Sequence, residues 1–227
     1  MAEEIENEVT TGGGFNFETF VEEKKKPLLI GGGVLAVVLV AVIFIFAKWL
    51  PDRELKAQND IYMAQFAFEK DSFNIALNGG KTSDGKPFKG FLAVANDYGM
   101  THTAKLANLY AGICYLNLKK YQEAVTCLEK GKVNDPVLGA IRLNDLGDAN
   151  SELGKMDDAI SYYEKAAAFS DNEKFAPLFL LKAGMAYEKQ KKLADAKKTY
   201  EKIRDQYPNS DEGRDIEKYI VRVSTGS

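Results

Sequence analysis

Three glycines in the second half of the chain are each followed, at fixed distances, by the same two kinds of residue. An alanine comes twelve residues later and a large side chain sixteen residues later: Gly112, Ala124 and Leu128; Gly147, Ala159 and Tyr163; Gly184, Ala196 and Tyr200. The glycines themselves are 35 and then 37 residues apart, so length changes fall between the units. Antiparallel helices that cross closely need small side chains, whereas their connecting loops tolerate insertions. The spacing predicts a stack of helical hairpins in which glycine meets alanine at each crossing.

The same residues resemble the tetratricopeptide repeat. The repeat's small, aromatic, alanine, large apolar, small and proline positions are matched in the first unit by Gly112, Tyr115, Ala124, Leu128, Gly131 and Pro136. The third unit has Gly184, Tyr187, Ala196, Tyr200 and Pro208, with Ile203 at a usually small position. The second unit has Ala166 at the second small position, but Asn150 and Asp171 where the aromatic and the proline are expected. The resemblance covers residues 104–208 and implies an all-α solenoid of three repeats that binds protein partners.

Residues 28–47 form a run of twenty residues without a charged or polar side chain. At about 1.5 Å per residue, a helix of this length spans about 30 Å, the thickness of the hydrocarbon core of a bilayer. A cleaved signal peptide fits less well, because an acidic stretch precedes the run and no small-residue cleavage site follows it. We therefore expect one uncleaved transmembrane helix over residues 27–50, with Trp49 either at the far membrane interface or simply ending the helix.

Residues 1–26 carry seven acids and three lysines, and we expect an acidic, disordered tail. Within it, Phe17, Phe20 and Val21 follow Asn16 at helical spacing, which fits either a short amphipathic helix on the inner leaflet or a solvated linker. The three lysines lie directly against the apolar run, so the positive-inside rule places this tail in the cytoplasm and the repeats on the other side.

Small residues within the apolar run are a further feature. Gly32 and Ala36 are four residues apart and share one face of a helix, which allows another membrane helix to approach closely. Glycine is also common in membrane anchors that have no lateral partner, so both interpretations stay open.

Residues 52–99 lack the repeat spacing but are helical in pattern at both ends, so we expect a degenerate hairpin with a returning helix at residues 88–98. Its glycine-rich loop, residues 78–87, has no preceding strand and lacks the residue order of a phosphate-binding loop. At the other end, Asn209 and Glu212 match a capping box that opens a last helix, and residues 209–227 should cover the end of the stack.

The sequence offers little for catalysis or for nucleic acid. Outside the acidic tail the charges nearly balance, which is a poor match to a phosphate backbone. His102 is the only histidine, too few ligands for a zinc site, and it lies about 18 Å along the helix from Cys114. We expect no enzymatic activity, cofactor, metal or small-molecule substrate.

Cys114 and Cys127 fall on the two helices of the first repeat. In an oxidising compartment they could form a disulfide, provided that their Cα atoms lie within about 7 Å of each other. We favour two free, buried thiols, since free cysteine is among the most commonly buried residue types.

The first helix of each tetratricopeptide hairpin lines a concave groove, and alignment to the repeat assigns its positions. These are Leu106, Leu109, Ile113 and Leu116 in the first repeat, Asn144, Asp148 and Glu152 in the second, and Leu181, Met185, Glu188 and Lys189 in the third. An apolar first repeat, an acidic second and a mixed third predict a partner segment with apolar and basic residues. The alternative is that the cap or the degenerate hairpin already covers these positions.

The order of acidic tail, basic flank, single span and repeats resembles that of the bacterial ancillary subunits of the SecYEG translocon. This resemblance implies a single-pass protein of the bacterial inner membrane with periplasmic repeats, which associates with the translocation channel and links it to extracytoplasmic chaperones or client polypeptides. Two alternatives stay open: an adaptor for envelope assembly, surface secretion or motility, and an organelle import receptor with repeats facing the cytosol.

Overall fold

The computed structural model describes residues 25–170 and 172–226, and the chain divides into two compact units, Met1–Trp49 and Leu50–Ser227. Each unit is described by itself below. The acidic tail and nearly all of the short amphipathic helix predicted for residues 16–26 lie outside the described residues, as does Asp171.

The described part of the first unit is helix α1 (Lys25–Phe44), followed by a π-helical turn (Ile45–Trp49). Every residue from 30 to 44 is exposed, and so large an apolar surface is unfavourable in water. The helix is long and apolar enough to cross a membrane, and a signal sequence near an N-terminus has the same properties. A Cβ built on Gly32 would have no neighbour within 4 Å, so the role of Gly32 and Ala36 in helix packing stays a prediction.

The second unit is a stack of helical hairpins, which confirms the all-α solenoid predicted from the residue spacing. The three repeats are formed by α5 (His102–Asn117) with α6 (Tyr121–Lys130), α7 (Pro136–Glu152) with α8 (Met156–Ser170), and α9 (Ala176–Lys189) with α10 (Leu193–Gln206). Before them come α2 (Leu50–Glu69), α3 (Phe73–Asn78), an antiparallel pair of strands β1 (Gly80–Lys81) and β2 (Pro87–Phe88), and α4 (Phe91–Asp97). After them come α11 (Asp211–Asp215) and α12 (Glu217–Thr225).

At each helix crossing, the atoms nearest to the glycine belong to the large residue sixteen positions later. A Cβ on Gly112 would lie 2.5 Å from Leu128 Cγ, and a Cβ on Gly147 would lie 2.5 Å from Tyr163 Cε1. In the third repeat the Cβ would overlap the ring of Tyr200. Each glycine therefore makes room for this large residue, and the three alanines are fully buried in the surrounding cores, while their predicted meeting with the glycines stays a prediction.

The turn inside each hairpin has one residue in the left-handed region, and the turn between α2 and α3 has the same geometry. These residues are Asp71, Lys119, Gly154 and Lys191, with φ of 54°, 59°, 76° and 59°. In each turn the next backbone N–H donates to the carbonyl five residues back, at 2.8–3.0 Å: Ser72 to Ala67, Lys120 to Tyr115, Lys155 to Asn150 and Lys192 to Tyr187. This bond satisfies a carbonyl at the end of the helix and reverses the chain in the same way each time.

A helix, α4, does lie within the predicted residues 88–98, but the helix that follows α2 across the hairpin turn is α3. Ala64 and Ala76, both fully buried, lie twelve residues apart like the glycine and alanine of the later repeats. Helix α3 ends early, and the chain then forms the β1–β2 hairpin, which was not predicted from the sequence. Helix α4 follows as a separate, shorter element.

The last helices, α11 and α12, cover the end of the stack. Ile216, Ile220 and Val223 are buried in the same core cluster as residues of α9 and α10. The predicted capping box is not formed: Ser210, rather than Asn209, is the N-cap, its hydroxyl accepts from the Gly213 N–H at 2.9 Å, and a glycine therefore stands where the box needs a glutamate.

The two cysteines are free thiols and both are buried. They belong to one core cluster, which also contains residues of α2, α3 and α4. Burial raises the pKa of Cys114 to about 12 and raises that of Cys127 as well, because the thiolate loses its hydration there. The structure therefore places the cysteines in the packing of the core.

Candidate interaction groove

Two adjoining hollows lie along the first helices of the three repeats, and together they are called the groove. The first, of about 430 Å³, lies between α5 and α7; the second, of about 180 Å³, lies between α7 and α9. They share Asp148, Ser151 and Tyr163, so one bound segment can occupy both.

Asp148 occupies the centre of the groove and is held by side chains from α8 and α9. Its carboxylate accepts from the Tyr163 hydroxyl at 2.8 Å and from Lys182 Nζ at 2.8 Å. Lys182 also donates to the amide oxygen of Asn144 at 2.8 Å. Tyr163 reaches Asp148 across Gly147, whose missing side chain leaves space for the ring. The glycine spacing that packs the second repeat therefore also fixes the floor of the groove.

The first hollow combines an apolar wall with three carboxyl groups. Ile113 and Leu116 form the wall, and Asp145, Asp148 and Glu152 lie on α7. No lysine or arginine lines this hollow among the residues that the structure describes. The hollow therefore suits an apolar side chain next to a basic one.

The charge of Asp145 in the groove responds to mild acid. Burial raises the pKa of Asp145 to about 6; the charge of Asp148 acts in the same direction, while donation from Asn144 and the charge of Lys182 oppose it. The carboxyl is ionised at neutral pH and takes up a proton in mildly acidic solution. The negative charge of the first hollow thus decreases as the pH falls.

Models of the tetratricopeptide repeat match residues 106–130, 142–172 and 179–210, which include most of α5–α6, α7–α8 and α9–α10. These three segments are tetratricopeptide repeats. No curated protein matches the chain significantly. Tetratricopeptide repeats are modules for protein–protein interaction and generally occur in adaptors without catalytic activity, so the repeat unit is a protein-interaction scaffold.

Six of the eleven predicted groove residues line the two hollows: Ile113, Leu116, Asp148, Glu152, Met185 and Lys189. Their role in binding stays a prediction. Asn144 is nearly buried and acts on the groove through its contact with Lys182. Leu106 and Leu181 are half-buried and pack against core clusters of the first and third repeats.

Two predicted groove residues are taken up by contacts within the protein. Leu109 is fully buried beneath the first repeat, where Gly131 approaches its backbone, so its assignment to the groove is wrong. Glu188 accepts from Arg222 of α12 at 2.6 and 3.0 Å and from the Tyr200 hydroxyl. Burial alone would raise the pKa of Glu188, but these hydrogen bonds outweigh it and lower the pKa. The cap therefore covers this position, as the alternative in the sequence analysis allowed.

Asp145, Ser151 and Lys182 also line the groove and were not among its predicted residues. Asp145 and Lys182 each directly follow an aligned position, Asn144 and Leu181, and the rotation of each helix in the folded stack decides whether such a residue faces the groove. Lys182 in particular gains its role from a contact with α7, 34 residues away in the chain.

The described residues contain no group of three or more His, Cys, Asp or Glu side chains that could hold a metal ion. His102 lies at the start of α5, where the Glu54 carboxylate accepts from its backbone N–H at 2.7 Å. That contact is a helix-end interaction between α2 and α5.

Proposed function

We propose that the protein is a membrane-tethered adaptor whose repeats hold a polypeptide segment in the groove and which performs no catalysis. The observation that carries the proposal is the fixed centre of the groove, in which Tyr163 and Lys182 hold the Asp148 carboxylate between two open hollows. A side-chain arrangement that is already held before binding loses little entropy when a partner docks.

The chemistry of the groove indicates what kind of segment it binds. An apolar side chain would pack against Ile113 and Leu116, and a lysine or arginine next to it would approach Asp145 and Glu152. Such a segment is common in polypeptides that are not yet folded, whose apolar residues are still accessible. This partner is the one that the sequence pattern of the groove predicts.

Helix α1 supplies the tether in this proposal. Anchoring the repeats in a bilayer keeps the groove close to membrane-bound partners and raises their effective concentration, so weak contacts are sufficient. The lysines at residues 24–26 support an orientation with a cytoplasmic N-terminus and extracytoplasmic repeats.

More specifically, we propose that the protein is an accessory of the SecYEG translocon in the bacterial inner membrane and passes emerging polypeptides to periplasmic chaperones. The support is the order of tail, span and repeats described above. The envelope-assembly adaptor and the cytosol-facing import receptor share the groove and the tether, and they differ in partner and topology.

Site-specific photocrosslinking in cells tests this proposal. A photoreactive amino acid replaces Glu152, which is exposed in the groove, and Lys165, which is exposed on α8, provides the matched control. We expect crosslinks to translocon subunits or secreted clients from position 152 and not from position 165. Equal crosslinking from both positions, or crosslinks only to unrelated membrane complexes, would reject the SecYEG assignment. A reporter fused after Ser227 establishes the topology separately.

A further inference from the structure

A second hollow with different chemistry lies outside the repeats, between the end of α2, α3 and the β1–β2 hairpin. Its volume is about 410 Å³, within the range of about 300–1,000 Å³ that is typical of ligand sites. Its floor consists of Met63, Phe66, Ala67, Ile75 and Phe88, and its rim carries Lys70, Ser72, Lys81, Thr82 and Ser83. None of these residues lines the groove, so the two surfaces are chemically independent.

The floor of this hollow exposes large apolar side chains that a folded chain normally covers. Phe66 is 43% exposed and Ile75 is 48% exposed. Tyr62, one helical turn before Phe66, is 64% exposed and lines an adjacent hollow of about 370 Å³ on the other side of Phe66. Contiguous exposed apolar surface of this kind marks an interaction site more often than scattered single residues do.

The walls of the hollow are fixed by the backbone. Gly79 and Gly90 approach each other so closely that a Cβ on Gly79 would lie 2.8 Å from the Gly90 nitrogen. A Cβ on Gly80 would lie 3.1 Å from Ile75 and 3.2 Å from Phe88, so β1 is packed directly onto α3. The hairpin is therefore held in place without a ligand, and the hollow is preformed.

The charges of the rim are positive. Lys70 lies 4.2 Å above the ring of Phe66, and neither Lys70 nor Lys81 forms an ion pair with a described residue. The acid of the hairpin, Asp84, is engaged by Lys86 at 2.9 Å and by the Thr82 hydroxyl. No carboxylate lines the hollow among the described residues, so its field attracts a negative group.

We propose that this hollow is a second docking site, which binds a polypeptide segment with a large apolar side chain next to aspartate or glutamate. The apolar side chain enters the hollow between Phe66 and Ile75, and the carboxylate reaches Lys70 or Lys81. A polypeptide fits better than a bilayer surface, because a concave floor accepts a protruding side chain and a flat surface would contact only the rim. The acidic groove, by contrast, selects a segment with basic residues. Binding at this hollow does not depend on the groove having a ligand. Together with the ligand proposed for the groove, it would let the protein hold two different segments at once.

Fluorescence anisotropy with the full chain in detergent micelles tests the proposal. The probes are two labelled, C-terminally amidated dodecapeptides that share a Leu-Phe-Leu centre, one flanked by aspartates and the other by lysines. We expect the wild type to bind the aspartate peptide, Phe66→Ser to weaken this binding at least about tenfold, and Phe66→Leu to retain most of it. Lys70→Glu combined with Lys81→Glu should lose the aspartate peptide by a similar factor and bind the lysine peptide more tightly than the wild type does.

The controls are variants of the same chemical type at other exposed positions. Lys105→Glu on α5 and Val221→Ser on α12 should leave the affinity for the aspartate peptide unchanged, and circular dichroism checks that each variant is folded. Absence of binding to the aspartate peptide, or binding that none of the site variants alters, would overturn the proposal.

Two further outcomes would assign the hollow to another occupant. If a dimer forms in light scattering and Phe66→Ser abolishes it, a second copy of the chain covers the hollow. If phosphatidylglycerol in nanodiscs competes with the aspartate peptide and phosphatidylcholine does not, the surface belongs to the membrane. Either result contradicts a polypeptide segment as the ligand.

Discussion

Replacing Gly147 by alanine tests the packing rule of the repeats and its link to the groove. The new Cβ would lie 2.5 and 2.6 Å from two carbons of the Tyr163 ring, which is only 5% exposed and cannot move outward. Overpacking of this kind costs about 1–3 kcal/mol. Alanine also gains about 1 kcal/mol over glycine within a helix, because it restricts the unfolded chain. The net expectation is a loss of about 1 kcal/mol, equivalent to about 2–4 °C in Tm for a chain of this size.

A double-mutant cycle separates the two contributions to the stability of Gly147→Ala. In a Tyr163→Ala background the steric conflict is gone, so the same glycine replacement should stabilise the chain by about 1 kcal/mol. Urea denaturation followed by circular dichroism at 222 nm measures the free energy of unfolding of all four variants. Gly99→Ala is the control, since the nearest atom to its Cβ would be 3.8 Å away. A destabilisation by Gly147→Ala that persists when Tyr163 is absent would refute the packing rule.

The remaining predictions concern a turn, a buried acid and the thiols. Lys119→Gly should stabilise the chain by about 0.5–1 kcal/mol in urea denaturation, because glycine adopts positive φ without strain, whereas Gly154→Ala should destabilise it by a similar amount. The raised pKa of Asp145 means that the folded chain binds a proton at this carboxyl more tightly than the unfolded chain does. The free energy of unfolding should therefore increase as the pH falls through about 6, and Asp145→Asn should weaken this pH dependence in urea denaturation. The raised pKa values of Cys114 and Cys127 predict that neither thiol reacts with Ellman's reagent until guanidinium unfolds the chain.

The spacing of small and large residues predicted the hairpins well because it is a property of the helix period alone. The spacing does not determine which residue of the second helix faces Gly147, because this depends on how the two helices are rotated about their axes. The same limit explains Leu109. Its neighbours Leu106, Ile113 and Leu116 share its apolar character, but in the folded stack Leu109 is buried in a core cluster with Leu128 and Leu146, and Gly131 lies against its backbone.

The region before the repeats was harder to predict because its helix α3 is interrupted. The equivalence of Ala64 and Ala76 to the later glycines and alanines is visible in the sequence only after the turn at Asp71 is known. The β1–β2 hairpin depends on close contact between Gly79 and Gly90, eleven residues apart, and glycines in a loop do not by themselves predict such a contact.

Isothermal titration calorimetry of the full chain with a peptide that alternates leucine and lysine tests the central claim that the groove binds an apolar, basic segment. One peptide per chain should bind the wild type at pH 7.5, and a variant with Asp148→Asn and Glu152→Gln should bind at least about tenfold more weakly while remaining folded. The affinity of the wild type should also decrease at pH 5.5, as Asp145 becomes protonated. Equal affinity of the wild type and the double variant at both pH values would contradict the account.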